Sequence, residues 1–131
     1  MMYQKGRAWI ELDLAHLKHN MAQFSSLLPP DCALMPAVKA NAYGHGAVLV
    51  SKALQEHGVQ NFCVASAAEG VELRRGGVTG EILVLSYTHP GQFDDLIEYR
   101  LAQTVVDRDY ARHMQRDGRR FTGHVGIDTG M

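Results

Sequence analysis

The stretch Met35-Pro36-Ala37-Val38-Lys39-Ala40-Asn41-Ala42-Tyr43-Gly44-His45-Gly46 concentrates the side chains that can do chemistry. In a strand, alternation gives Lys39 the same face as Met35 and Ala37, with Leu34, Pro36 and Val38 on the other, so Lys39 is the last inward residue of that strand. A lysine held among apolar side chains loses proton affinity because its charged form is desolvated, and its neutral amine can then form a Schiff base with a carbonyl group. The competing reading is a strand-end lysine reaching to solvent. Pro36 brings no N–H to a ladder and leaves the start of the strand undefined. Other combinations carry less. His16 and His19 are three apart on a helical pattern, but no third metal ligand accompanies them and they read as a solvated face. Cys32 and Cys63 sit in apolar segments and read as buried, reduced thiols. His45 reads as a structural loop residue, and Arg74-Arg75, Arg119-Arg120 and Asp94-Asp95 as charged caps, turns or helix surface. Gly44-His45-Gly46 has neither the rest of a dinucleotide fingerprint nor a Walker lysine, and no Ser/His/Asp order or Cys-x-x-Cys spacing is present.

The elements that position Lys39 are read from the hydrophobic period. Short apolar runs at Leu34 to Val38, Phe62 to Ala65, Ile82 to Leu85, Ala102 to Val106 and His124 to Ile127 predict buried strands. Leu14, Leu17, Met21, Phe24 and Leu28 share one face of a helix that starts after an Asp13 cap. Ser66-Ala67-Ala68-Glu69 has the form of a capping box, with Gly76-Gly77 as the stop, and Gly91 to Tyr99 and Asp107 to Gly118 predict two further helices. Strand starts about 20 residues apart suit βα units with parallel strands, so the class is α/β. A closed (β/α)8 barrel takes about 250 residues. Five core strands and a leading one, Ala8 to Leu12, are therefore either an open sheet or part of a TIM-type barrel, in which Lys39 would stand at the C-terminal mouth.

Composition narrows the partners. The chain has 131 residues, 13 Lys+Arg against 14 Asp+Glu for a net charge of −1, and 46% hydrophobic residues, an ordinary globular balance. It has no basic stripe for nucleic acid or an anionic membrane surface. No run approaches the roughly 18 apolar residues of a membrane span, and no signal-peptide core opens the sequence, so the expected address is cytoplasmic.

Taken together, Val38-Lys39-Ala40-Asn41-Ala42-Tyr43-Gly44-His45-Gly46 closely resembles the pyridoxal-phosphate signature of the alanine racemases, which are fold-type III enzymes. The resemblance continues in Arg7-Ala8-Trp9-Ile10-Glu11-Leu12-Asp13-Leu14, in Val64-Ala65-Ser66-Ala67-Ala68-Glu69-Gly70-Val71-Glu72-Leu73-Arg74 and in Asp128-Thr129-Gly130-Met131. Ile82 to Tyr87 and Gln103 to Asp107 are also similar to family segments, the latter in the form of clostridial alanine racemases and of the serine/alanine racemases of glycopeptide resistance. The resemblance implies pyridoxal 5'-phosphate as cofactor, joined to Lys39, with Lys39 also the base on one face of the substrate Cα. It further implies that Tyr43 donates its hydroxyl to the cofactor phosphate, that Gly44 and Gly46 permit close backbone approach, and that Leu85 lies against the cofactor ring or in the barrel core. The implied reaction interconverts L- and D-alanine through an external aldimine, by Cα deprotonation and reprotonation from the opposite face, and supplies D-alanine for peptidoglycan. In the family the opposing base is a tyrosine of a later C-terminal β domain in the partner subunit of a homodimer.

Two departures bear on this reading. The family commonly reads His-x-Lys-x-Asp-Thr-Gly-Met with a carbamylated lysine, where this chain has Gly126, and the sequence stops at Met131, before an arginine that the lysine positions. Residues 1–131 thus read as the N-terminal portion of the cofactor-binding barrel, without the remaining barrel and the C-terminal β domain, and as inactive alone. An incomplete barrel exposes sheet edges, which predicts poor solubility. Two other readings are a non-catalytic pyridoxal-phosphate carrier, whose lysine strand usually reads Ala-Val-Ser-Lys, and a small stand-alone α/β binding module.

Overall fold

A computed structural model describes residues 7–130. In chain order it contains α1 (Leu14–Ser26), a short helical segment α2 (Lys39–Tyr43), α3 (Ala47–Gln55), β1 (Asn61–Val64), α4 (Ala67–Arg75) and β2 (Glu81–Val84). A 3-10 turn (Pro90–Gln92) then leads into α5 (Phe93–Glu98), β3 (Ala102–Val105), α6 (Arg108–Asp117) and β4 (Thr122–Val125). The strands form one parallel sheet in the order β1-β2-β3-β4, each joined to the next through a helix. This is the α/β repetition expected of part of a TIM-type barrel.

Local chemistry explains the boundaries. The Asp13 carboxylate accepts from Ala15 N (2.9 Å) and His16 N (3.0 Å) and starts α1, while Asp107 accepts from Tyr110 N (2.7 Å) and starts α6, which ends on the left-handed Gly118. Ser66 Oγ accepts from Glu69 N (3.4 Å) at the start of α4. On α1, Leu17 and Met21 pack against the core as the period predicts, but Phe24 is 64% exposed.

Strand alternation divides the core. Phe62, Val64, Ile82 and Val84 face the helices and pack with Leu73, Phe93, Leu96, Tyr110 and Met114. Cys63, Leu83 and Ala102 point to the other face, where Met35 covers them. The registers Cys63↔Leu83, Leu83↔Ala102 and Ala102↔Thr122 set this inner row. At the opposite end of the strands, the Arg74 guanidinium donates to the carbonyls of Tyr99 (2.9 Å), Val78 (3.1 Å), Gly80 (2.8 Å) and Arg100 (3.0 Å), tying two loops to α4.

Some expectations change. Residues 8–12 are no strand: they join no ladder, and Trp9 and Ile10 are 55% and 63% exposed. A strand forms only where a neighbour takes its N–H and C=O groups, and no described segment pairs with these residues. The run Leu34 to Val38 contracts to one bridge, Ala37 against Cys63, made by Val38 N–H to Cys63 O (2.8 Å) and Cys63 N–H to Pro36 O (2.9 Å). Pro36 can accept but not donate, which keeps the ladder short. β4 begins at Thr122 rather than His124, because pairing to Ala102 and Gln103 sets its register, and Ile127 remains 79% exposed. Cys32 is exposed, whereas Cys63 is buried as expected.

Candidate functional site

Lys39 closes the Leu34 to Val38 run, and immediately after it the backbone changes hand. Ala40 (φ 50°, ψ 47°), Asn41 (53°, 45°) and Ala42 (52°, 47°) are left-handed, as is Tyr43 (φ 54°), so α2 is a left-handed turn built from non-glycine residues. Each such residue costs roughly 1–2 kcal/mol relative to the right-handed form. Strain of this kind persists only where surrounding contacts over-determine it, and it gathers at functional sites.

The contacts that hold the turn are all present. Ala42 N–H donates to Val38 O (2.9 Å), Gly44 N–H to Ala40 O (3.1 Å), and His45 N–H to Ala42 O (3.1 Å). His45 Nδ1 lies 2.8 Å from the same Ala42 carbonyl, which gives His45 the structural loop role read from the sequence. Gly46 N–H donates to Asn41 O (2.9 Å), and Asn41 Oδ1 accepts from Ala47 N–H (2.8 Å), capping α3 from outside the helix. Gly44 and Gly46, at φ 90° and 94°, let the chain leave the turn. The Glu69 carboxylate reaches across from α4: Oε1 accepts from Ala40 N–H (2.8 Å) and Oε2 from Ala65 N–H (2.7 Å).

Lys39 is half-buried, and among the described residues its amine has neither a hydrogen bond nor an ion pair. Tyr43 is 62% exposed, and its phenol likewise has no partner among the described residues. The Tyr43 ring borders an apolar groove of about 320 Å³ that Leu12, Val38, His45 and Leu54 help to line; Lys39 is not among the lining residues. Leu85, 37% exposed, follows β2, and its N–H donates to Val64 O (2.9 Å). Alternation from Leu83 puts Leu85 on the inner face. The strand-end loop after it is held by Gln103, whose Nε2 donates to Ser86 O (2.8 Å) and whose Oε1 accepts from Thr88 Oγ1 (2.6 Å). Sequence reading missed Gln103, Asn41 and the long-range role of Glu69. The only signals were a buried amide, a residue type that tolerates left-handed backbone, and an acidic group in a capping-box position.

Beside Leu83, Leu85 and Met35, the inner face carries small and polar side chains. Burial, with a smaller contribution from Glu81, pushes the Cys63 thiol above its ordinary range and keeps it protonated. Glu81 Oε1 lies 2.7 Å from His124 Nε2. Gly126 N–H donates to Val105 O (3.0 Å), and a Cβ at Gly126 would stand 3.2 Å from the Thr104 methyl carbon. The neighbouring Thr104 hydroxyl is buried without a partner among the described residues. Neither the Lys39 amine nor the Tyr43 phenol has a partner among the described residues; an amine can attack a carbonyl and a phenol can donate to an anion. No group of three or more metal-ligating side chains occurs among the described residues, and no described helix is long and apolar enough to cross a membrane.

Residues 12–131 match the family model described as alanine racemase, N-terminal domain. The chain is 39% identical over 125 residues to an amino-acid racemase of Enterococcus faecalis, covering 95% of this chain and 18% of that protein. It is also 39% identical over 127 residues to an alanine racemase of Desulforamulus reducens, covering 94% of this chain and 34% of that protein. Its structure is similar to that of the Clostridium difficile 630 alanine racemase in complex with cycloserine (TM-score 0.81, 38% identity), over 88% of this chain and 32% of that one. The chain therefore spans about a third or less of the length of these relatives.

Proposed function

The chain belongs to the alanine racemase N-terminal domain family, and from that premise we propose that residues 1–131 are the N-terminal portion of the pyridoxal-phosphate-binding barrel of an amino-acid racemase that interconverts L- and D-alanine. The observation that carries the reading is the Lys39 amine, without a partner among the described residues, at the start of a strained left-handed turn held by hydrogen bonds. Further chain would supply the rest of the barrel, the C-terminal β domain and, in a homodimer, the opposing base.

When bound, pyridoxal phosphate withdraws electrons from the Cα of an attached amino acid and so makes its proton removable. Lys39 would hold the cofactor through its amine, and the same amine is placed to take or return a proton at one face of the substrate Cα. Tyr43 would donate its hydroxyl to the cofactor phosphate, a charge-assisted bond. Leu85, just after β2 on the inner face, would offer an apolar side chain to the ring. The address is the cytoplasm, and the product D-alanine serves peptidoglycan.

Serine is the second substrate to test, because Gln103 to Asp107 is similar to the serine/alanine racemases as well as to the clostridial alanine racemases. In the full natural polypeptide, Lys39→Ala abolishes racemisation of both amino acids as followed by chiral chromatography. Turnover retained in that variant would remove the assignment of Lys39.

A further inference from the structure

We propose that Glu69 is a positioning residue for Lys39: its carboxylate fixes the peptide at which the backbone changes hand and thereby sets where the lysine amine stands. In a capping box the acidic side chain turns back to the N–H of its own cap residue, here Ser66. Glu69 does not. Its Oε2 takes the N–H of Ala65 at the end of β1 (2.7 Å), and its Oε1 crosses to the N–H of Ala40 (2.8 Å), 29 residues away in sequence.

Ala40 is the first left-handed residue, so the Lys39–Ala40 peptide is the reversal point. The Ala40 N–H has the Glu69 Oε1 as its acceptor, while the carbonyl four residues before it, that of Pro36, accepts from Cys63 N–H (2.9 Å). Lys39 is consequently pinned on both sides to the β1–α4 unit. Val38 N–H donates to Cys63 O (2.8 Å) before it, and Ala40 N–H donates to Glu69 after it. An ionised carboxylate suits the position because each of its oxygens accepts from one N–H, whereas a carboxamide offers one acceptor oxygen and turns an NH2 group toward the other donor. The role rests on the assignment of Lys39 made above.

The test compares wild type, Glu69→Gln and Arg74→Met in the full natural polypeptide. Each is incubated with pyridoxal phosphate and read by absorbance for affinity, by borohydride reduction and peptide mapping for the site of labelling, and by thermal melting for folding. Arg74→Met is the control for lost stability, because Arg74 binds carbonyls at the opposite end of the strands. The expected result is wild-type label on Lys39, an affinity about ten- to a hundredfold weaker in Glu69→Gln, and wild-type affinity in Arg74→Met at temperatures where it is folded. Hydrogen exchange on the wild type gives a second reading that survives a misfolded variant: the Ala40 amide exchanges slowly although Ala40 is exposed. Wild-type affinity and labelling in Glu69→Gln, or an Ala40 amide exchanging at the free-chain rate, overturns the role of Glu69 while the Lys39 assignment stands. A wild-type protein without label on Lys39 overturns both.

Discussion

The left-handed turn after Lys39 reverses the usual consequence of putting glycine into a helix, and Ala40→Gly measures this. In a right-handed helix the substitution costs about 1 kcal/mol. At φ 50° the alanine itself carries the penalty, roughly 1–2 kcal/mol relative to a conformation without the Cβ clash. Glycine removes that penalty but loses about 0.5–1 kcal/mol more chain entropy on folding. Ala40 is exposed, so no buried contact is forfeited, and its N–H still meets Glu69. The balance runs from about zero to about 1.5 kcal/mol of stabilisation, with a centre of roughly 0.8 kcal/mol, which at a urea slope of about 2 kcal/mol/M moves the midpoint up by roughly 0.4 M. Urea denaturation followed by circular dichroism reads the shift, with Ala40→Val as the opposite control because a β-branched residue is strained at this φ. A midpoint lowered in Ala40→Gly by the amount expected for an ordinary helix would refute the left-handed assignment.

Asn41→Ala removes the acceptor for Ala47 N–H and costs about 1 kcal/mol, read as a lower melting temperature with α3 as the first element to lose hydrogen-exchange protection. Arg74→Met leaves the carbonyls of Val78, Gly80, Tyr99 and Arg100 without their shared donor and destabilises by about 2–4 kcal/mol in urea titration. Burial raises the Tyr110 phenol above its ordinary value of 10.0, against the lowering effect of its bonds to Thr88. The neutral form is therefore favoured by folding, so its contribution is complete below pH 10.0 and is lost as pH climbs through the raised value. Tyr110→Phe abolishes that alkaline step in a pH series of melting temperatures and costs about 1 kcal/mol at neutral pH through loss of the bond to Thr88 O. The Asp13 carboxyl is held below its ordinary value mainly by the His16 N–H, so the cap on α1 is intact at neutral pH and weakens as pH falls through the lowered value, seen as fraying of α1 by hydrogen exchange in acid.

Much of the scaffold was legible because it rests on local chemistry. Asp13, Ser66 and Asp107 cap the helices that follow them, Gly118 ends α6, and the apolar runs from Phe62, Ile82 and Ala102 are the parallel strands. Helix α3 was not read, because its cap residue, Gly46, offers no side chain and the capping oxygen comes from Asn41. The leading strand failed for the converse reason: residues 8–12 have an apolar pattern but no partner among the described residues, and pattern without a ladder makes no strand. Within the proposed site, the motif around Lys39 supplied the candidate residues, but nothing in Ala40, Ala42 or Tyr43 signals a left-handed backbone. That conformation is held by hydrogen bonds within the turn together with one group distant in sequence, Glu69, whose carboxylate local rules assign to its own helix. The Gly126 departure also gained a setting: the backbone there is paired to Val105, beside the Thr104 hydroxyl, which has no partner among the described residues.

The central claim, that Lys39 is the residue which holds pyridoxal phosphate, is tested most directly by incubating the full natural polypeptide with the cofactor, reducing with borohydride and mapping the modified peptide. The expected outcome is a single stoichiometric label on Lys39. Stoichiometric label on another lysine, Lys18 or Lys52 for example, with Lys39 unmodified would contradict it.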